Sequence, residues 1–424
     1  MREDIKEHIE LIRAGKVPKG YKQMKFGIIP NDFKVVLLEE LVDFQNGINA
    51  EKEKFGQGIK IISVSDILKK EPIFYDSIQS EIDISEEKLE NYTVNYGDIL
   101  FQRSSENIED AGTANVYLDE KRVATFGGFV IRGKKKVDYN PIVINEILKM
   151  QYVRKQVMKM AAGAQHINIS QDSLKRIWIV IPNAVQQEYA KKFLEMYLKQ
   201  IDLLQRKIEL LRLKKRWLIQ NLITGKKRLP GYYDTWKKDK LKKYIEEMTE
   251  KNQSVLVSNI KSISNKFGFI NQSTQFGKKV ASDDLSNYKI VKKGYIAYNP
   301  SRINVGSIAL YHGETFGVIS PMYIVLKTKN GLNEKFFMYY VKTSLFNQHI
   351  KSQLSGSVRE TLKFNDLCAI KIDLPSYDEQ NTIVKVLETA DKEIELLEKK
   401  LELIKQEKKA IMQLLLTGIV RVNE

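Results

Sequence analysis

Two long helical segments with the same residue pattern constrain this chain more than any other feature. One runs from Gln186 to about Gly225 and the other from Glu379 to about Gly418, and each follows a proline that closes an apolar run. A glycine after the last apolar position is a typical helix stop. Each position of the first segment has its counterpart 193 residues later, as Gly225 has in Gly418. The chain therefore contains an internal duplication.

The apolar residues of both segments follow alternating spacings of four and three, which is typical of a coiled-coil seam. A lysine occupies the same slot in both copies. The predicted seam residues are Leu194, Ile201, Leu204, Ile208, Leu211, Lys215 and Leu218 in the first segment, and Leu387, Ile394, Leu397, Leu401, Ile404, Lys408 and Ile411 in the second.

The two seam lysines favour antiparallel pairing of the segments within one chain. In a parallel, in-register pair Lys215 would face Lys408, and two like charges would lose water together. In an antiparallel pair, Lys215 lies opposite Ala390 and Lys408 opposite Tyr197, where a lysine stem can reach solvent. Nine basic and four acidic residues lie from Gln186 to Gly225, and seven basic and nine acidic residues lie from Asp378 to Thr417, so the two segments attract each other more than their own copies.

Composition indicates a globular protein with a polyanionic partner. The 424 residues are 43% hydrophobic, with 69 Lys and Arg against 53 Asp and Glu, a net charge of +16 and a pI near 9.4. A basic balance of this size is typical of nucleic-acid binding, and a solvated basic surface is the alternative.

The chain has one cysteine, Cys368, which excludes an intramolecular disulfide and a thiolate metal cluster. Its start is charged throughout, and no apolar run of 18 residues occurs anywhere. These features predict a soluble protein of the cytoplasm, without a signal peptide or a membrane span.

The order of elements predicts a mixed α/β fold of the α+β type, in which two globular domains are separated by the two paired helices with pseudo-two-fold symmetry. Short β-type runs recur in the same order in both domains, and Phe33 at the start of the first is echoed by Trp236 in the second. Helical runs are predicted from Pro141 to about Met160 and from Glu334 to about Leu354. The predicted boundaries are an N-terminal helical arm at 1–24, a first domain at 25–182, a first helix at 183–225, a second domain at 226–375, and a second helix with the tail at 376–424.

The helix pair has the length of a spacer between two recognition domains. The seam from Ala190 to Leu222 has 33 residues, or roughly 50 Å at ~1.5 Å per residue. At ~3.4 Å per base pair this length covers about 15 base pairs if the domains sit at its tips. Because the domains differ in sequence, we expect two different half-sites.

Candidate DNA contacts lie in loops after equivalent β-type runs and in basic turns. Arginine can read guanine, asparagine and glutamine can read adenine, and lysines in turns suit phosphates. The candidates are Gln102, Arg103, Ser104, Gln165 and His166 in the first domain, Arg302, Asn304 and Arg359 in the second, and the lysines Lys134, Lys135, Lys278 and Lys279.

Catalytic signatures are weak. Asn299-Pro300 partly matches the Asn-Pro-Pro-Tyr box of adenine methyltransferases but lacks the second proline, and a turn is the simpler interpretation. No strand leads into a glycine-rich turn that opens a helix, as a nucleotide-type cofactor pocket requires. The four histidines lie far apart, so no metal site is expected. A stand-alone adenine methyltransferase and a non-specific nucleic-acid-binding scaffold remain as alternatives.

The chain carries several motifs in order, some of them in duplicate. These are "YKQMKFGIIPNDFKVVLL" at the first domain, "GDILFQRS" at its strand, the Pro-x-x-x-x-Gln starts "IVIPNAVQQEYA" and "IDLPSYDEQNTIV", and the exits "LIQNLITGKKRL" and "IMQLLLTGIVRV". Together they resemble the motifs of the DNA specificity subunits of type I restriction-modification systems. The resemblance covers nearly the whole chain. It implies two target-recognition domains that each read one part of a split, asymmetric DNA target.

The same resemblance implies partners and an absence of catalysis in this chain. Two methyltransferase (modification) subunits would dock on the helices, restriction subunits could join further out, and S-adenosylmethionine would bind the methyltransferase. Gln187, Gln380, Thr224 and Thr417, at the helix starts and ends, are the predicted partner-binding residues.

Overall fold

A computed structural model describes residues 3–24, 27–49, 55–69, 71–161, 163, 166–265, 267–271, 284–354 and 361–421. The chain divides into two compact units. The first comprises Met1–Leu203 with Leu401–Glu424, and the second comprises Leu204–Lys400. Each unit contains part of both long helices and one globular domain, which we call the first or second head.

The helices include two long ones, Ala184–Leu222 with 39 residues and Tyr377–Leu416 with 40. Among the described residues, no helix is both long and apolar enough to cross a membrane. In chain order the helices are α1 (Glu3–Arg13), α2 (Leu38–Leu41), α3 (Val64–Ile67), α4 (Glu86–Tyr92), α5 (Pro141–Leu148), α6 (Gln151–Met160), α7 (Gln171–Lys175), α8 (Ala184–Leu222), α9 (Glu334–Tyr340), α10 (Ser344–Leu354), α11 (Phe364–Ala369) and α12 (Tyr377–Leu416).

The strands are short and lie in both heads. Those of the first head are β1 (Tyr21–Met24), β2 (Gly27–Pro30), β3 (Lys34–Leu37), β4 (Val42–Asn46), β5 (Phe55–Ile62), β6 (Glu81–Ile82), β7 (Ile99–Gln102), β8 (Ser104–Ser105), β9 (Ala114–Val116), β10 (Thr125–Phe126), β11 (Val130–Lys135), β12 (Ile167–Asn168) and β13 (Trp178–Ile181). Those of the second head are β14 (Lys237–Lys240), β15 (Ile245–Glu247), β16 (Ile260–Ser264), β17 (Gly268–Asn271), β18 (Lys289–Val291), β19 (Ile296–Tyr298), β20 (Ile308–Leu310), β21 (Gly317–Ile319), β22 (Ile324–Thr328) and β23 (Lys371–Leu374).

The two heads share one sheet topology. Each has a four-stranded antiparallel sheet, in the order β4-β11-β7-β9 in the first and β15-β22-β19-β20 in the second. Each also has a second sheet with one parallel pair, the three-stranded β10-β5-β6 in the first head and the four-stranded β17-β16-β21-β18 in the second, where β5 pairs with β10 and β16 with β21. An antiparallel pair joins the start and end of each head, β3 with β13 and β14 with β23. The predicted mixed α+β fold and its duplication are confirmed at this level.

The central strand β7 shows why the apolar runs form these sheets. Gly97, with φ +89°, turns the chain into the strand, and all four strand residues are buried. Side chains alternate between the two faces of a strand. Ile99 and Phe101 therefore pack into one apolar cluster and Leu100 into another, which makes both faces of the sheet apolar.

The long helices complete the core of each head and run antiparallel inside each unit. In the first unit, Leu194 of α8 shares a cluster with Leu415 of α12, and the Gln186 side chain donates to the Leu415 carbonyl over 3.0 Å. In the second unit, Arg212 of α8 contacts Glu398 at 2.6 Å, whereas Lys215 reaches back to Asp391. The predicted intramolecular antiparallel pairing is confirmed.

All 14 predicted seam residues lie in buried or half-buried positions. Leu194, Ile201, Ile208, Leu387, Ile394 and Leu401 are buried, and Leu204, Leu211, Lys215, Leu218, Leu397, Ile404, Lys408 and Ile411 are half-buried.

We predicted that the stems of the two seam lysines reach solvent, but both lysines bind acidic side chains instead. Lys408 binds Glu146 of α5 at 3.1 Å in the first unit, and Lys215 binds Asp391 of α12 in the second. The two acids lie on different elements, Glu146 on a helix of the head and Asp391 on α12. The residue of the second head that corresponds to Glu146 is Tyr339, which has no carboxylate. Tyr339 instead donates its hydroxyl to Asp391 over 2.7 Å. Each unit thus supplies one acid for its seam lysine.

The helical runs of the heads are shorter than predicted. Each breaks into two helices, α5 with α6 and α9 with α10, and the breaks fall at Lys149–Met150 and at Val341–Thr343. In addition, the segment Val64–Ile67 after β5 forms a helical turn.

Candidate nucleic-acid interface

In the first head, two loops that are about 60 residues apart in sequence form one polar edge. Strand β8 pairs antiparallel with β12, so that Ser104 lies opposite Asn168, and the Ser104 hydroxyl donates to Asn168 Oδ1 over 2.5 Å. The Arg103 N–H donates to the Phe129 carbonyl over 2.8 Å, and the Arg103 carbonyl accepts from Ile169 N–H at 3.0 Å. A two-stranded ribbon of this kind can enter the major groove of DNA.

The predicted contact residues of the first head occupy this edge with different exposure. His166 is exposed, and Arg103 and Ser104 are half-buried. The Arg103 guanidinium donates to the Gly128 carbonyl over 3.4 Å, a long contact that a phosphate or a base could replace. Gln165 lies outside the described residues.

Gln102 differs from the other candidates because its side chain is buried. Its Nε2 donates to the Ser104 carbonyl over 2.9 Å, while its Oε1 has no hydrogen-bond partner within the described residues. The buried Gln102 side chain therefore stabilises the backbone of the loop through Ser104. Recognition of a base by its amide stays a prediction.

The lysines Lys134 and Lys135 lie at the other end of the same sheet. Val130 of β11 pairs with Gln102, whereas Gly133 pairs with Ile99, so the strand carries the lysines away from Arg103. Lys135 binds Asp138 at 2.9 Å and thereby holds the pKa of that carboxyl below its ordinary value. Lys134 is exposed. The structure thus does not bring these lysines together with the polar edge.

In the second head, Arg302 and Asn304 lie in the loop after β19 and are exposed. The residue equivalent to Arg103 is Pro300, because the Pro300 carbonyl accepts from Leu362 N–H at 3.0 Å, as the Arg103 carbonyl does from Ile169. Arg302 therefore stands two residues further along, and the two heads present different side chains at the same backbone position. Arg359, Lys278 and Lys279 lie outside the described residues.

Asn299 is the residue that resembled part of a methyltransferase box. Its side-chain Oδ1 accepts from Ser301 N–H at 3.0 Å, and its N–H donates to the Ser307 carbonyl over 3.0 Å. This is the geometry of a turn, as the simpler interpretation expects. Among the described residues, no group of three or more His, Cys, Asp or Glu could hold a metal ion.

The predicted partner-binding residues at the helix starts and ends make bonds within their own units. The Gln187 amide donates to the Pro182 carbonyl over 2.8 Å, and the fully buried Gln380 amide donates to Pro375 over 3.1 Å. The Thr224 and Thr417 hydroxyls donate to the carbonyls of Gln220 and Gln413 over 2.6 and 2.7 Å. These bonds explain why the motifs need Gln and Thr, and contact with a partner stays a prediction.

Sequence reasoning missed the arginines that follow the two Thr-Gly ends. Arg421 binds Asp32 through two contacts of 2.8 Å beside Phe33, in the first unit. Burial works to raise the pKa of Asp32, but hydrogen bonds from Arg421 and Asn183 outweigh it and hold the pKa low. Arg228 and Arg421 follow Gly225 and Gly418 at the same spacing, and this repeat is the sequence signal that could have identified the two arginines.

The counterpart in the second unit is Arg228, which binds the buried Glu379 at 2.6 and 2.8 Å beside Trp236. The glycines before both arginines have φ +71°, and an added Cβ would meet Pro30 at Gly418 and Trp236 at Gly225. The Thr-Gly ends thus anchor each helix end on the start of one head.

Comparison with known proteins yields a consistent set of matches. A family model described as the type I restriction modification DNA specificity domain matches residues 30–213 and 230–406. A putative type I restriction enzyme MjaX specificity subunit of Methanocaldococcus jannaschii is 26% identical and covers 95% of this chain and 97% of its own. The MjaVIII specificity subunit of the same organism is 22% identical, with 95% and 96% covered.

Solved structures support the fold at low sequence identity. The S subunit of a type I restriction-modification system from M. genitalium matches with a TM-score of 0.50 and 16% identity, over 92% of this chain and 97% of its own. A chain from a structure of the type I R-M system, solved for its assembly and conformational transition, matches with a TM-score of 0.57 and 12% identity, over 92% and 99%.

Proposed function

The chain belongs to the type I restriction-modification DNA specificity family, and we propose that it reads a bipartite, asymmetric DNA target with its two heads. The observation that carries this proposal is the pair of heads with one topology and different loops. At the same backbone position the first head has Arg103 and the second has Pro300. Because the two loops present different hydrogen-bonding groups, the two half-sites differ in sequence.

The helix pair acts as the spacer in this proposal, and the gap between the half-sites follows its length. Mapping methylated bases in the host genome tests both parts together. With the gene present, we expect one motif of two short half-sites around an unread gap, and without the gene we expect that methylation to disappear. Inserting one heptad at facing positions of α8 and α12 is expected to lengthen the gap by up to about three base pairs, since seven residues add ~10 Å. Methylation that persists without the gene would overturn the proposal.

The chain itself is not the catalyst in this proposal. Two methyltransferase subunits carry S-adenosylmethionine, and restriction subunits join the complex through them. Purified chain, S-adenosylmethionine and target DNA are expected to give no methyl transfer, whereas a stand-alone methyltransferase would transfer methyl groups. Competition with random DNA at fixed salt separates the chain from a non-specific scaffold, because a scaffold would show almost no sequence preference.

An exposed apolar stripe on α8 supports docking of the methyltransferase subunits on the helices. Large apolar side chains recur every seven residues on the face turned away from the seam, and exposed apolar stripes of this kind bind amphipathic helices. In the first unit the stripe consists of Tyr189, Met196 and Leu203.

Placing charge on this stripe is expected to break the complex. Met196→Glu combined with Leu203→Glu should reduce co-purification with the methyltransferase subunit at least tenfold, because the carboxylates would have to be buried in the interface. The matched control is Gln200→Glu, an exposed residue between them that lies off the stripe. Equal co-purification of the double variant and the control would exclude the stripe as the docking site.

A further inference from the structure

One large apolar side chain stands at the same exposed position in both heads. In the first head this side chain lies in the turn between β10 and β11, and in the second head it lies in the turn between β21 and β22. Each turn leads into a strand that pairs with the central strand of the antiparallel sheet. Phe129 is 69% exposed in the first turn and Met322 is 60% exposed in the second. The two turns differ in length and sequence, with Gly127-Gly128-Phe129 in one and Ser320-Pro321-Met322-Tyr323 in the other.

Both side chains project beside the loops that carry the candidate base-reading residues. The Phe129 carbonyl accepts directly from Arg103 N–H. In the second head Ile324 pairs with Tyr298, so Met322, two residues earlier, lies across from Pro300. Since Pro300 is the counterpart of Arg103, the two apolar side chains occupy equivalent places.

The first turn holds its shape through contacts that leave little room for change. Gly127 N–H donates to the Ile62 carbonyl over 3.0 Å, and Val130 N–H donates back to the Gly127 carbonyl over 2.9 Å. A Cβ on Gly128 would lie 1.8 Å from Asn49 Oδ1. In the second turn Pro321 fixes its own φ, and Tyr323 N–H closes onto the Ser320 carbonyl at 3.0 Å. Phe129 and Met322 are therefore presented from fixed turns.

A single exposed apolar residue on a protein surface needs no explanation. An exposed apolar residue at the equivalent position of both heads does require an explanation, because the two turns share neither length nor sequence and turns prefer polar residues. Phe129 lies beside the polar edge of the first head, and Met322 lies across from Pro300, beside the loop with the exposed Arg302 and Asn304. Each head therefore places an apolar side chain next to polar ones. The major-groove edge of DNA has the same mixture, since thymine carries a methyl group among hydrogen-bonding atoms.

We propose that Phe129 and Met322 are specificity-determining residues, each contacting the methyl group of a thymine in the half-site that its own head reads. This inference rests on the proposed function. The polar edge supplies hydrogen bonds to the bases, and the apolar side chain excludes water from the thymine methyl. Each head would accordingly prefer thymine at one position of its half-site.

The test measures binding of the full chain to its mapped target in the presence of random competitor DNA at fixed salt. Phe129→Ala is expected to weaken binding to the target about tenfold and to leave binding to random DNA unchanged. Replacing one thymine of one half-site with uracil, which lacks only the methyl group, is expected to weaken binding of the unaltered chain about fourfold. The same replacement should have almost no further effect on Phe129→Ala. Met322→Ala should behave in the same way with a thymine of the other half-site.

The matched control is Phe74→Ala, which removes another exposed aromatic side chain of the first head. Phe74 follows Ile73, which bridges to Tyr117 near Asp98, at the opposite end of the sheet from Arg103. If the unaltered chain shows no preference for the target over random DNA, the proposed function fails. If it shows the preference and both alanine variants keep it, or if no uracil replacement weakens binding, the function stands and this inference is overturned.

Discussion

Replacing Arg228 with leucine is expected to destabilise the second unit by about 3–5 kcal/mol. The Arg228 guanidinium holds both oxygens of Glu379, at 2.6 and 2.8 Å, and the Glu379 side chain is only 1% exposed. Trp236 Nε1 donates to the same carboxylate over 3.3 Å but brings no charge. Without the arginine, a carboxylate would remain buried with no cation beside it, and this costs far more than the loss of a surface ion pair.

The duplication provides a matched control for this prediction. Arg421 also makes a bidentate contact with an acid in the first unit, but its partner Asp32 lies at the start of the head and is 41% exposed. Arg421→Leu should therefore cost about 1 kcal/mol or less, because water can solvate the remaining carboxylate. The double variant Arg228→Leu with Glu379→Leu should recover most of the loss. Hydrogen exchange at the amides of β14 and β23 reports the stability of the second unit, and exchange at the amides of β3 and β13 reports that of the first. Equal losses for Arg228→Leu and Arg421→Leu would contradict the prediction.

The second large effect is expected from Glu146→Leu, which should destabilise the first unit by about 2–3 kcal/mol near neutral pH. Glu146 faces two ammonium groups, Lys408 at 3.1 Å and Lys149 at 3.6 Å. The pKa of Lys149 lies below its ordinary value, because its burial outweighs the attraction of the Glu146 carboxylate, which raises the pKa, and the charge of Lys408 lowers the pKa further. Without Glu146, the two lysines would repel each other with no acid between them.

The pH dependence of this loss has a definite sign. A lysine whose folded pKa lies below its unfolded pKa binds more protons when unfolded, so stability rises with pH between the two values. Removing Glu146 lowers the folded pKa of Lys149 further. The loss should therefore shrink as the pH rises toward the ordinary lysine range. Hydrogen exchange at the amides of β11 measures it.

Two further variants separate the ion pair from simple packing. In Glu146→Leu with Lys408→Leu, an apolar pair replaces the charges, and stability should return to within about 1 kcal/mol of the original protein. In Asp391→Leu, the acid that binds the seam lysine of the second unit is removed from a site that is 45% exposed, and the loss should be smaller than for Glu146→Leu. A Glu146→Leu loss that is independent of pH and unchanged by Lys408→Leu would argue against the charge explanation.

The candidate interface was partly predictable from the sequence. The pattern placed Arg103, Ser104 and His166 in loops, and the structure brings them to one edge through the pairing of Ser104 with Asn168. The sequence pattern could not predict that Gln102 is buried, since burial depends on which elements cover both faces of β7. Nor could it distinguish Pro300 from Arg302 as the counterpart of Arg103, because the heads have different loop lengths.

The sequence by itself determined the duplication, the two long helices, their seam and their antiparallel pairing inside one chain. These features follow from local signals, namely the spacing of apolar residues, the Thr-Gly stops and the balance of charge, which each segment carries without its neighbours. Only the tertiary structure decided which acids hold the seam lysines, Glu146 from a head and Asp391 from a helix. Lys408 and Glu146 are 262 residues apart, and no local pattern specifies a contact between side chains that only folding brings together.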